Sequence, residues 1–174
     1  RPRTGMRKEG FDVTEKIFHK DYAVTIQFKG SKKRGMHWDY GTYGRVNVGP
    51  HSDPSVMVHE ISHQIETRHL NKEMGEFLLA RTKGEKLERL KDVFPDHGYK
   101  PDEVFRRDEF STRGGAHYMG KFYSGINASG NPTPRATEIL TMGVQRILKD
   151  PLEFERNDPD YFWLIFNAMR KRNQ

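Results

Sequence analysis

The stretch His59-Glu60-Ile61-Ser62-His63 restricts this chain more than any other. Two imidazoles four residues apart share one face of an α-helix, about one turn from each other. So placed, both can reach a single zinc ion at about 2.0–2.1 Å. Glu60 is adjacent to the first imidazole and badly placed to bind the same ion. It is well placed to hold a water molecule and take its proton. With 8 His and 13 Glu, chance would produce this pattern in about 3 of 100 such chains. The local context must therefore carry much of the argument.

That context is helical. Asp53-Pro54 places an N-cap side chain before a proline at the first helical position, so a helix is predicted from Pro54 to about Arg68. Before it, Tyr22–Phe28 alternates apolar and polar residues and reads as a strand. Gly30-Ser31-Lys32-Lys33 turns the chain, and Arg45–Val48 reads as a second strand. The two are expected to share a small antiparallel sheet, with Arg45–Val48 as an edge against which an extended substrate would pair.

Beyond the motif, Asn71–Phe94 is predicted as a second helix, broken near Gly84, with Leu78, Leu79, Leu87 and Leu90 on its apolar side. Residues 95–131 are rich in Gly, Asp and aromatics and read as loop with short helix. Thr133-Pro134 repeats the cap signal, opening a helix with Ile139, Leu140, Met142, Val144, Ile147 and Leu148 that stops near Asp150-Pro151. Asp158-Pro159 starts a last helix, ending in Arg170-Lys171-Arg172. The fold class is therefore α+β and helix-rich, with a small antiparallel sheet beside the Pro54 helix. Residues 1–10 read as a basic arm or linker and 11–174 as a single domain.

Composition narrows the chemistry. At 174 residues the chain is long enough to bury a core. It has no cysteine, which excludes disulfides, thiol catalysis and cysteine metal sites. Any metal must be held by His, Asp or Glu. The net charge is +6, but the basic residues are scattered and no aromatic–basic nucleic-acid motif is present, so nucleic acid is not an expected partner. No apolar run approaches the roughly 20 residues of a membrane span. No signal peptide is visible and residue 1 is Arg, so the chain reads as a processed product or as part of a larger parent polypeptide.

A catalytic zinc needs three protein ligands and an open position, and three residues compete for the third place. His69 completes the outer spacing of HExxHxxGxxH, but Glu66 stands at the glycine position, where the chain must leave the helix. If the helix continues, His69 lies about 9 Å up the axis from His63. Glu66 is one turn past His63 and suits orienting a ligand histidine better than being one. Glu138 is a carboxylate in an otherwise apolar helical segment, which requires a reason.

With His59, His63 and the later Glu138, the chain resembles the gluzincin group of zinc peptidases. Two stretches, Tyr118-Met119-Gly120-Lys121-Phe122-Tyr123 and Ala136–Gly143, together with Asp150-Pro151 and Asp158–Phe162, look like parts of minor head proteins of phages and prophages. Related metallopeptidase-like domains occur in secreted bacterial effector toxins. The resemblance spans roughly residues 45–165. It implies a zincin-like fold, a Zn2+ cofactor held by His59, His63 and Glu138, and Glu60 as general base. It also implies a donor to the developing oxyanion, with Tyr123, Tyr118 and His117 as candidates, and Asp108 and Glu109 as supporting carboxylates. The activity expected is hydrolysis of a protein or peptide substrate. A secreted or virion-associated setting is expected over a resident cytoplasmic one, with a cognate inhibitor or immunity protein if the chain is a toxin. The alternative is a non-catalytic, metal-stabilised structural domain of a phage head protein.

Overall fold

β1 (Val24–Phe28), β2 (Met36–Asp39) and β3 (Gly44–Val48) form a sheet in the order β1-β3-β2. The computed structural model describes residues 12, 24–28, 35–39, 44–49, 52–107, 116–123 and 136–171. The expected arm over residues 1–10 and the turn at Gly30–Lys33 lie outside these. The two strands expected to run antiparallel, β1 and β3, pair in parallel, Ile26 opposite Val46, and the antiparallel neighbour of β3 is β2, which the sequence reading did not foresee. β3 alternates strictly: Gly44, Val46 and Val48 are buried, with Arg45 and Asn47 between them. The sequence reading made Arg45–Val48 an edge strand. It is the central one, with a neighbour on each side, so a substrate cannot add to it.

Helix α1 (Pro54–Ile65) packs on β2 and β3. It begins where the residues predict: Pro54 occupies the first turn, and the Asp53 carboxylate accepts from the Ser55 N–H at 2.8 Å. Its second half is buried on every side, including Glu60, Ser62, His63 and Gln64. A core helix carrying that many polar groups is unusual, because each must find a partner. Ser62 meets part of this need locally by donating to the Val58 carbonyl at 2.7 Å.

The chain does not leave the helix at Glu66, whose φ and ψ are both −55°. It passes through a π-helical turn, Glu66–Leu70, into α2 (Asn71–Arg81). A π turn admits an extra residue per turn, so helical backbone continues where the HExxHxxGxxH pattern would bend at its glycine.

Two compact units divide the chain: residues 1–68 with 140–174, and residues 69–139. In the first, α4 (Ile139–Lys149, which starts one residue before the division), α5 (Pro151–Asn157) and α6 (Pro159–Lys171) follow one another. Thr133-Pro134 lies outside the described residues; helical structure begins only at Ile139, whose N–H is accepted by Thr137 Oγ1 at 3.0 Å. Asp150-Pro151 ends α4, as predicted, and also starts α5, which sequence reading missed: Asp150 caps the Glu153 N–H at 2.9 Å. A Cβ on Gly143 would collide with Ile165 and stand 3.1 Å from Tyr161, so α4 and α6 cross at glycine distance. Leu140, Val144, Phe154, Tyr161 and Ile165 are buried here.

In the second unit, α2 ends before Gly84, which takes a left-handed φ of 86°. The predicted helix to Phe94 stops there. Leu87–Arg89 is a strand, β4, followed by the single-turn α3 (Leu90–Val93). β4, from the segment read as helix, joins β5 (Val104–Arg106) and β6 (Lys121–Phe122), from the segment read as loop with short helix, in a second, antiparallel sheet. Among the buried apolar residues of this unit are Met74, Leu78, Leu90, Phe105, Met119 and Phe122. Among the described residues, no helix is long and apolar enough to cross a membrane.

Candidate metal centre

His59 and His63 lie one turn apart on α1, their rings 5.0 Å apart and edge to face. Glu138, fully buried, directly precedes α4. One ligand atom from each of His59, His63 and Glu138 lies within 4.8 Å of the others, so the three form a group that could hold a metal ion. The donor set suits the ion proposed from the sequence: two imidazoles and one carboxylate are a zinc set with a position left open. His69 and Glu66 do not belong to this group. His69 is exposed on the π turn, and Glu66 is buried below it.

The surroundings fix how these groups can act. His59 Nδ1 lies 3.2 Å from Gln145 Oε1, and Gln145 Nε2 donates to the Ser55 carbonyl at 3.2 Å. With its amide N–H engaged by Ser55, Gln145 turns its oxygen to His59, which must donate from Nδ1. The lone pair of His59 is thereby placed on Nε2, the nitrogen that would face an ion. Gln145 was not foreseen. It lies 86 residues from His59 in sequence, and no local period connects them.

His37, on β2, was also missed. Its ring is stacked on that of His63, centroids 6.1 Å apart and 16° from parallel. Gln64, oriented with its oxygen toward the Arg68 guanidinium, donates to His37 Nε2 at 2.6 Å. Two glycines make room for the polar side chains of α1. A Cβ on Gly44 would collide with the Gln64 amide, and one on Gly35 would stand 2.5–2.8 Å from the Glu60 side chain. Glu60 therefore lies directly against the backbone preceding β2.

Of the aromatic candidates, Tyr123 is the one that meets a member of this group: its hydroxyl donates to Glu138 Oε1. Tyr118 Oη lies 3.1 Å from Tyr123 Oη. Burial first, then the Glu138 carboxylate and Tyr118, push the Tyr123 hydroxyl well above the usual phenol range. In this arrangement its proton is given to Glu138, and the hydroxyl orients that carboxylate. The side chain of His117, and Asp108 and Glu109, lie outside the described residues.

No protein family, curated protein or solved structure matches this chain. Its function must be read from the site.

Proposed function

We propose that this chain is a zinc-dependent endopeptidase with a gluzincin-type ligand set. The observation that carries the reading is the convergence of His59, His63 and Glu138, on a helix that also buries Glu60. An accidental pair of surface histidines would have neither a third ligand nor an engaged Nδ1. His59, His63 and Glu138 would hold the ion. Zinc bound there supplies Lewis acidity, polarising a carbonyl and lowering the pKa of a water. Glu60 accepts a proton from the attacking water as its oxygen bonds to the peptide carbonyl carbon. It then delivers that proton to the nitrogen as the C–N bond breaks. Gln145 keeps His59 in the tautomer with Nε2 unprotonated, and Tyr123 holds Glu138 by one oxygen.

The test is metal content beside hydrolysis. Wild-type chain should bind one zinc, and both His63→Ala and Glu138→Ala should lose it. Zinc-loaded wild type should cleave an unfolded protein such as casein, and Glu60→Gln should retain zinc while losing at least about 100-fold in rate. Zinc binding without hydrolysis would move the reading to a metal-stabilised structural domain. A wild type that binds no zinc would sink both.

A further inference from the structure

Lys121 is a lysine buried to 2% exposure, and neither the ligand set nor the proposed mechanism uses it. An ammonium group is costly to withdraw from water and is rarely found there without partners. Lys121 has three. Its Nζ donates to Glu103 Oε1 at 2.7 Å, stands 3.5 Å from Tyr118 Oη, and lies over two aromatic faces. The ring centres are 4.9 Å away for Tyr118 and 4.1 Å for Tyr123, within the range of a cation–π contact. These two tyrosines are the ones that lead to Glu138.

The proton inventory gives this cluster a direction. A carboxylate only accepts, an ammonium only donates, and each phenol has one proton. Tyr123 spends its proton on Glu138 Oε1. The proton between Tyr118 and Tyr123 must therefore come from Tyr118. The Tyr118 oxygen is left as an acceptor, and it faces Lys121. A single orientation satisfies every member: Lys121 to Tyr118, Tyr118 to Tyr123, Tyr123 to Glu138. A cation at the head of such a chain polarises each hydroxyl toward the next acceptor. Glu103 holds that cation in place at the other side.

We infer that Lys121 is a positioning residue for the metal centre, acting through Tyr118 and Tyr123 to fix the Glu138 carboxylate for the ion. This rests on the proposed ligand set. Partners that hold a metal-binding side chain usually contribute about 10–100-fold to affinity, and Lys121 would contribute through Tyr123 and not beside it.

A double-mutant cycle on zinc affinity, read by competition with a chromogenic chelator, tests this. Tyr123→Phe should weaken zinc binding about tenfold, and Lys121→Met by a similar factor. The double variant should be no more than about twofold weaker than the worse single one, because both break the same chain. Lys121→Arg, which keeps the charge and the donors, should recover most of the affinity. Should Lys121→Met fail to fold, Glu103→Gln takes its place in the cycle, releasing the ammonium from its anchor with the same expected coupling. Wild-type zinc affinity in Lys121→Met, or losses that multiply in the double variant, would overturn the inference and leave the ligand set standing. Failure of the wild type itself to bind zinc would instead remove the ligand set, and the inference with it.

Discussion

At the scale of single residues, Gly35 carries the sharpest consequence. It is the place where the backbone before β2 meets Glu60, and a Cβ there would stand 2.5 Å from Glu60 Cγ and 2.6 Å from Oε1. One of the two must move, and the flexible glutamate moves more cheaply than a strand. Gly35→Ala should therefore leave the fold and the three proposed ligands nearly untouched while shifting Glu60. Misplacing a reacting group by about 1 Å can cost about 100-fold in rate. The expected result is hydrolysis lowered about 10–100-fold at unchanged zinc stoichiometry. Casein cleavage and metal content measured on one preparation check it. Undiminished cleavage would mean that Glu60 does its work from another position. Gly44 against the Gln64 amide is the same device one strand further on.

At the scale of elements, α1 is started by Asp53, and its cap sets the register from which His59 and His63 project. The Asp53 carboxylate is held below its ordinary value of 3.8 by its hydrogen bonds with Ser55, burial opposing only weakly. A carboxyl group with a lowered folded-state pKa stabilises fully above the unfolded value and loses that contribution as pH falls through the folded one. Asp53→Ala should cost about 1 kcal/mol at neutral pH. The difference from wild type should persist down to pH 4 and fade below it, as read by urea unfolding at several pH values. A gap that stays constant to pH 2.5 would show that the carboxylate is not what caps the helix. The same Asp-Pro chemistry explains what was legible in the sequence: Asp53-Pro54, Asp150-Pro151 and Asp158-Pro159 each precede an observed helix. At Asp150 it marked both an end and a start, and only the end was read. The second sheet was not legible, because β4, β5 and β6 are two or three residues long. Such short strands exist through partners distant in sequence: Leu87 pairs with Arg106, and Val104 with Phe122. They carry too few residues to show a period of two. The metal group divides in the same way. His59 and His63 follow from helical spacing alone, and Glu138 from being a carboxylate among apolar residues. Gln145 and His37 reach the site only through tertiary structure, at separations no local pattern encodes.

At the scale of the whole molecule, zinc bound at the proposed site would tie stability to the ion. An ion that binds the folded chain and not the unfolded one stabilises by RT ln(1 + [L]/Kd), about 2.7 kcal/mol at a hundredfold excess over Kd. For a chain of 174 residues, each kcal/mol moves the melting temperature by roughly 2–4 °C. Saturating zinc should therefore raise the melting temperature by about 5–10 °C, and EDTA should return it to the metal-free value. Magnesium makes the comparison specific. It prefers an octahedral shell of oxygens, and two imidazoles with one carboxylate suit it poorly, so it should leave the melt unchanged. In His63→Ala the zinc shift should vanish, read against that variant's own metal-free melt, since truncating a buried ring also costs stability. A zinc shift that survived in His63→Ala would have to come from other ligands. That outcome would assign the stabilising ion elsewhere and leave His59, His63 and Glu138 as a buried polar cluster without a metal.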